Sequence, residues 1–298
     1  MHKWTIGCRI FWLSVLCLVS LSATAQDYPP AWDKPFPAHR VVANLYSVGT
    51  YDLSSFLLTS DDGHILINTG MAGSTALIRD NIEALGFRLT DVKRLLTNQA
   101  HFDHVSAMAE IKELSGAQLW ATAPDAKLLQ DGGFSDPLFG GSETFRPVSV
   151  EHIISDGDVI ALGETRLTVH EHPGHTAGST SYSLRVHENG RDYRVLIANM
   201  GSINPGTKFH EDETYPGIRD DYAKTFKSQK ALDVDIWVAA HASQYGLHDK
   251  YKPGQPYDAD TFVDPEGFFA LVAKLEQRFL TALDEEKQAA QIESEQKH

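Results

Sequence analysis

Cysteine is almost missing from this 298-residue chain: only Cys8 and Cys17 occur, both within the first twenty residues. Basic clusters are missing too, with 26 Lys and Arg against 40 Asp and Glu and a net charge of −14. That balance excludes a nucleic-acid surface, which needs grouped positive charge against phosphates. No G-x-S-x-G elbow is present, and S-x-x-K occurs only at Ser294–Lys297 in the polar tail, so a serine hydrolase or a serine-type β-lactamase lacks its usual frame. The stretch Gly201–Lys208 resembles a phosphate loop, but Thr207 stands where lysine is required.

The longest apolar run is short and lies at the start. Lys3 and Arg9 precede Ile10 to Val19, and Ala23-Thr24-Ala25 supplies small residues for cleavage, the pattern of a secretion signal over residues 1–25. Ten residues are too few to cross ~30 Å of hydrocarbon, so no membrane association is expected once the signal is removed. Removal leaves 24 basic and 40 acidic residues, a charge of −16, and no cysteine in residues 26–298. The exported protein, expected in the periplasm, then has no disulfide, no thiol nucleophile and no cysteine for zinc. Any metal must sit on histidine, carboxylate, amide or water.

What remains is rich in alternating structure. Val41–Val48, Tyr51–Leu58 and His64–Asn68 read as strands of a meander, followed by a helix with Leu77, Ile78, Ile82 and Leu85 on one face. Val92–Thr97 reads as a buried strand, Val105–Leu114 as a helix, Gln118–Ala121 as a strand, and Pro124 opens another helix. Residues 132–147 show no period; a loop of that length is more often functional than idle. Strands return from His152 to Ala198, followed by a helix over Asp220–Leu232, a strand over Asp235–Ala240 and a last helix carrying Phe268 to Phe279. The polar tail after about residue 284 is expected to fray. Strands followed by strand–helix units occur twice, without a linker. One domain over 26–298 follows: an α/β four-layer αβ/βα sandwich, two mixed sheets face to face with helices outside.

The densest chemistry lies in Thr97-Asn98-Gln99-Ala100-His101-Phe102-Asp103-His104, at the end of an apolar strand. Residues 99, 101 and 103 would project to one side of an extended end, and a turn could bring His104 in. Imidazole and carboxylate suit Zn²⁺; a surface loop that merely contains these residues is the plain alternative. His175, in the rigid turn His172-Pro173-Gly174-His175, and His241, after Asp235–Ala240, put histidine at two more strand ends. Ser202 is either a substrate contact or an ordinary turn serine. His170 and His172 either support the site or simply pack, and Phe134 and Phe139 either form a lid or fill space beneath the loop.

These motifs resemble the metallo-β-lactamase superfamily, whose mark is an H-x-H-x-D-H run with single histidines at later strand ends. More narrowly, the chain is similar to the third subclass of class B β-lactamases and its GOB-type branch, in which glutamine replaces the first histidine, here Gln99. Leu45–Leu53, Leu66–Gly70, Val195–Met200 and Asp235–Gln244 carry the same likeness. The resemblance implies that Gln99, His101 and His175 hold one zinc, and that Asp103, which also has a catalytic role, joins His104 and His241 on another. It also implies a carboxylate-binding Ser202. One or two Zn²⁺ ions per chain follow, the Gln99 site being the looser because a carboxamide is a weaker donor than imidazole. Met200 stands where other subclasses have a metal-binding cysteine and is expected to pack. The implied activity is hydrolysis of a small-molecule β-lactam, conferring antibiotic resistance, by a zinc-generated hydroxide without a covalent intermediate, in a chain expected to be a monomer. A lactonase, a glyoxalase II-like thioesterase and a non-catalytic metal-binding protein are the alternatives.

Overall fold

The computed structural model describes residues 1–2 and 28–296. The expected secretion signal lies almost wholly outside the described residues. Among these residues no helix is long and apolar enough to cross a membrane.

Seven strands form one sheet in chain order: β1 (His39–Val42), β2 (Leu45–Ser47), β3 (Phe56–Leu58), β4 (His64–Ile67), β5 (Val92–Leu96), β6 (Gln118–Thr122) and β7 (His152–Ile154). Pairing is antiparallel from β1 to β4 and parallel from β4 to β7. The second sheet has β8 (Val159–Leu162), β9 (Thr165–Glu171), β10 (Thr180–Glu188), β11 (Arg191–Ala198) and β12 (Ile236–Ala239), in the order β12-β11-β10-β9-β8. Only β11–β12 is parallel there. Both sheets are therefore mixed, as expected.

Apolar side chains on both faces of the first sheet set the layering. Phe56, Leu58, Ile65 and Ile67 join Leu167, Val169, Tyr182 and Val195 of the second sheet in one buried cluster. Leu57 and Leu66 point the other way, onto Ile78 and Ile82 of α1 (Ser74–Ala84) and Ile111 of α3 (Met108–Ser115). Burial on both faces is why these strands read as continuous apolar runs rather than alternating ones. Each such side chain contributes about 1.5–3 kcal/mol when removed from water. Phe226 of α5 (Ile218–Ala231) and Phe268 and Val272 of α7 (Pro265–Gln296) cover the second sheet. The result is the four-layer sandwich.

Three local expectations need correction. Val41–Val48 is not one strand: Ala43, at φ 48°, turns the chain between β1 and β2. Its amide donates to Glu188 Oε2 at 2.8 Å, and Asn44 Nδ2 donates to the Thr59 carbonyl at 2.6 Å. A turn held by partners this distant leaves no Gly or Pro signal in the sequence. Likewise Asp103 is not on an extended strand end, because α2 (Phe102–Val105) begins directly after His101, and the His104 amide donates to the His101 carbonyl at 3.0 Å. Finally, the polar tail is helical where no regular element was assigned to it: α7 continues to Gln296, through Ala, Glu, Gln and Lys, all good helix formers. Two short α-helices went unforeseen, α2 itself and α6 (Leu247–Lys250), while α4 (Ala123–Asp131) opens near Pro124 as expected.

Candidate metal centre

The ligand candidates gather where strands end. β5 stops at Leu96 and leads into 97–104, β9 stops at Glu171 before His175, and β12 stops at Ala239 before His241. A buried amide network holds the first of these segments. Asn68 Oδ1 accepts from Asn98 N at 2.9 Å and Thr97 Oγ1 at 3.1 Å. Asn98 Nδ2 donates to the Thr180 carbonyl at 2.9 Å, and Tyr182 Oη donates to the Thr97 carbonyl at 2.8 Å. The segment is thereby tied across the sandwich to β10. In the next turn, Gly174 (φ 132°) passes so close to Tyr222 that a Cβ would lie 2.9 Å from its ring. Only glycine fits there, which fixes where His175 starts.

Asp103, His104 and His241 form one compact group, their ligand atoms all within 4.8 Å of one another. Asp103 Oδ2 lies 3.3 Å from His104 Nε2 and 3.4 Å from His241 Nε2. Asp52 holds the far side of His241, its Oδ2 accepting from Nδ1 at 3.1 Å while its Oδ1 accepts from the Ser243 amide at 2.9 Å. His101 and His175 pack edge to face with ring centroids 4.8 Å apart. His175 Nδ1 donates to the Ser202 carbonyl at 2.8 Å, which leaves Nε2 free. Gln99 is 3% exposed, and its Oε1 has no hydrogen-bond partner among the described residues; neither does either ring nitrogen of His104.

Electrostatics separate these groups. Burial would raise the Asp103 carboxyl, but His104, His241 and His101 outweigh it and hold the group well below the usual carboxylate range. Burial lowers His104 to about 4, and burial with the neighbouring His101 lowers His175 to about 3, so both are neutral at pH 7. For His241 burial works downward, yet Asp103 and Asp52 raise it to about 9. Asp125, pushed up to about 6 by burial, accepts from Thr176 Oγ1 at 3.0 Å and from the Ala100 amide, joining two ligand turns from behind.

Leaving buried donors and acceptors unpaired costs about 1–3 kcal/mol each. Divalent cations would satisfy the Gln99 oxygen and a His104 ring nitrogen, and nitrogen and carboxylate donors are those zinc takes. The residues present therefore fit a metal. The structure thus brings together Asp103, His104 and His241 tightly, and His101 with His175 beside them.

Ser202 sits against His175, its Oγ 3.2 Å from Nδ1. Met200 is buried in the core, as expected for packing. His170 and His172 hydrogen-bond to Ser183 and Ser181 of β10, His172 also to Ser228 of α5, in a packing role. Phe134 is 70% exposed, whereas Phe139 lies on His101 with centroids 5.0 Å apart. Asp52, Asp125 and Asp136 escaped the sequence reading, because nothing in their spacing marks them. A cavity of about 230 Å³ opens beside His101 and His175, walled by Leu128, Leu138, Tyr215 and Ile218. A larger cleft of about 1140 Å³, near Asn44, Arg166 and Arg185, contains none of these ligand candidates.

A mixed-sheet sandwich with histidine and aspartate converging at its strand ends defines a metal-dependent hydrolase fold, and the chain belongs to the metallo-beta-lactamase superfamily, whose profile matches residues 49–241. It is 46% identical to the class B3 di-zinc metallo-beta-lactamase LRA-12 from an Alaskan soil metagenome, covering 87% of this chain and 98% of that one with a TM-score of 0.84. To the metallo-beta-lactamase GOB-18 from Elizabethkingia meningoseptica it is 43% identical, covering 88% and 97%, with a TM-score of 0.85. Curated relatives include a hydroxyacylglutathione hydrolase from Bradyrhizobium sp., 31% identical over 183 residues, or 58% of this chain. The chain spans about 60% of the length of that relative.

Proposed function

We propose that this protein is a zinc-dependent β-lactamase of the class B3 kind, exported to the periplasm and close to the GOB-type branch. Gln99, His101 and His175 would hold one zinc, and Asp103, His104 and His241 a second. The observation that carries the reading is the set of buried, unpartnered donor atoms at one end of the sandwich, in a chain 46% identical to a di-zinc enzyme over nearly all of that enzyme's length. Identity to GOB-18 and glutamine at position 99 support the narrower placement.

Zinc supplies a Lewis acid and, by lowering the pKa of water toward ~7, a nucleophile at neutral pH. The chain's own groups do the rest. Asp103, ionised, accepts a hydrogen bond from the attacking water and turns a lone pair toward the lactam carbonyl. Asp52 fixes the His241 ring and Ser202 the His175 ring, so both imidazoles keep one orientation through turnover. Because the Ser202 carbonyl accepts the hydrogen bond of His175 Nδ1–H, the Ser202 hydroxyl is left to donate to a substrate carboxylate. Leu128, Leu138 and Ile218 offer an apolar wall to the substrate's acyl side chain and exclude water from it.

Thioester hydrolysis is the second reading, favoured by the likeness to hydroxyacylglutathione hydrolases. A panel of a penicillin, a cephalosporin, a carbapenem, a lactone and a glutathione thioester, assayed with purified zinc-loaded protein, separates them. β-Lactam turnover with no acyl-enzyme in the mass spectrum is expected. Turnover of the thioester or lactone alone would replace the reading, and zinc uptake with no turnover would leave a metal-binding protein.

His241 adds a pH signature. With its pKa raised to about 9 in the metal-free protein, it is protonated at pH 7 and must lose that proton to bind metal. His104 at about 4 and the ionised Asp103 have none to lose. Affinity at this site is therefore expected to rise about tenfold per pH unit between pH 7 and 9 and then level off. Chelator competition at several pH values measures the slope; a flat profile contradicts it.

A further inference from the structure

The loop over 132–147 contains one buried carboxylate that faces two ways. Asp136 is 7% exposed. Its Oδ1 accepts the amides of Leu138 and Phe139, both at 2.8 Å, closing the turn that lays Phe139 on the His101 imidazole. Its Oδ2 lies 3.4 Å from His101 Nε2. A carboxylate there favours the tautomer with its proton on Nε2, which leaves Nδ1 as the nitrogen for a metal.

The three candidate ligands of this set differ from the other three in charge. Gln99, His101 and His175 are all neutral donors, whereas Asp103 brings an anion to His104 and His241. His175 leans on a carbonyl and Asp125 on a backbone amide and a threonine hydroxyl, whereas Asp136 brings a carboxylate oxygen within 3.4 Å of the His101 ring nitrogen. A carboxylate against the far nitrogen of a ligating imidazole raises its basicity and fixes its plane. The same side chain lines the cavity beside His101, next to Leu138.

We propose that Asp136 is a positioning residue that sets the metal affinity of the Gln99–His101–His175 set and couples it to the loop walling the adjoining cavity. This rests on the reading that the set binds zinc. Whatever displaces Leu138 or Phe139 then also moves the carboxylate that holds His101, so loop position and metal affinity change together.

Two substitutions divide the roles. Asp136→Asn keeps an oxygen for the two loop amides but presents an NH₂ group to the His101 N–H, opposing donor to donor. Asp136→Ala removes both contacts. Zinc is titrated into metal-free full-length protein against a chromophoric chelator, and loop opening is followed by chymotrypsin cleavage at Phe139. Wild type is expected to show a tight and a looser class of zinc. In Asp136→Asn the looser class weakens about 10–100-fold while the tight class and the cleavage rate stay as in wild type. Asp136→Ala weakens the looser class as well and is also cut faster. Two classes in wild type that Asp136→Asn leaves unchanged, or weakens equally, overturn the proposal while the zinc reading stands. Fewer than two zinc in wild type overturns that reading for this set and the proposal with it. Should the alanine variant fail to fold, the asparagine variant decides alone.

Discussion

Stripping the purified protein with a chelator is expected to reduce β-lactam hydrolysis to background, and adding zinc back to restore it. The expectation follows from what the side chains cannot do alone. Water needs a base with a pKa near the working pH. Asp103 is held far below that range, and His104 at about 4 and His175 at about 3 are too weak to take its proton. His241, raised to about 9, is already protonated at pH 7. Without metal, then, none of these four groups generates a nucleophile, and cysteine is missing from residues 26–298. Magnesium is not expected to substitute, since it takes oxygen ligands in near-octahedral geometry and four of the six donors here are imidazoles. Full activity in protein shown by elemental analysis to be metal-free would exclude the mechanism.

Asp103→Asn is expected to lower kcat/KM by more than about 100-fold and to lose metal at the Asp103–His104–His241 group. Asn has almost the same shape, so packing around this buried position changes little. What changes is charge and donor sense. Asp103 is the one anion among the six candidate donors, and its Oδ2 lies 3.3 Å from His104 Nε2 and 3.4 Å from His241 Nε2. An amide NH₂ in that place repels a cation, and an amide oxygen in its place is a neutral, weaker donor. It also removes one of the two carboxylates that raise His241, so that histidine's pKa should fall toward its ordinary value. A 100-fold loss corresponds to about 2.7 kcal/mol of transition-state stabilisation. Steady-state kinetics and metal content, measured on the same preparation, check both halves. A variant that retains two metals and wild-type turnover would remove Asp103 from the centre.

Much of this site was legible in the sequence because its donors follow strands whose apolar runs are unmistakable. Leu95-Leu96 precede the Gln99–His104 segment, and Ile236–Ala239 precede His241. A strand end is a local property, and local composition reveals it. The geometry within the segment was less legible. Alternation predicted Asp103 on an extended end, but α2 starts one residue earlier, and a helical turn delivers Asp103 and His104 together. Competition between strand and helix over two or three residues is settled by tertiary hydrogen bonds, such as the Thr69 amide donating to the His104 carbonyl at 2.8 Å.

The sequence by itself determined the absence of cysteine from residues 26–298, the acidic balance, the alternation of strands and helices, and which histidines, aspartate and glutamine are candidates for a metal. Tertiary structure alone decided which ring nitrogens are free to face it. Asp52 orients His241 from 189 residues away, Asp136 reaches His101 from another loop, and the Ser202 carbonyl accepts a hydrogen bond from His175. Hydrogen bonds depend on distance in space and carry no period along the chain. Side chains that meet only after two sheets have packed therefore leave no mark on the sequence between them.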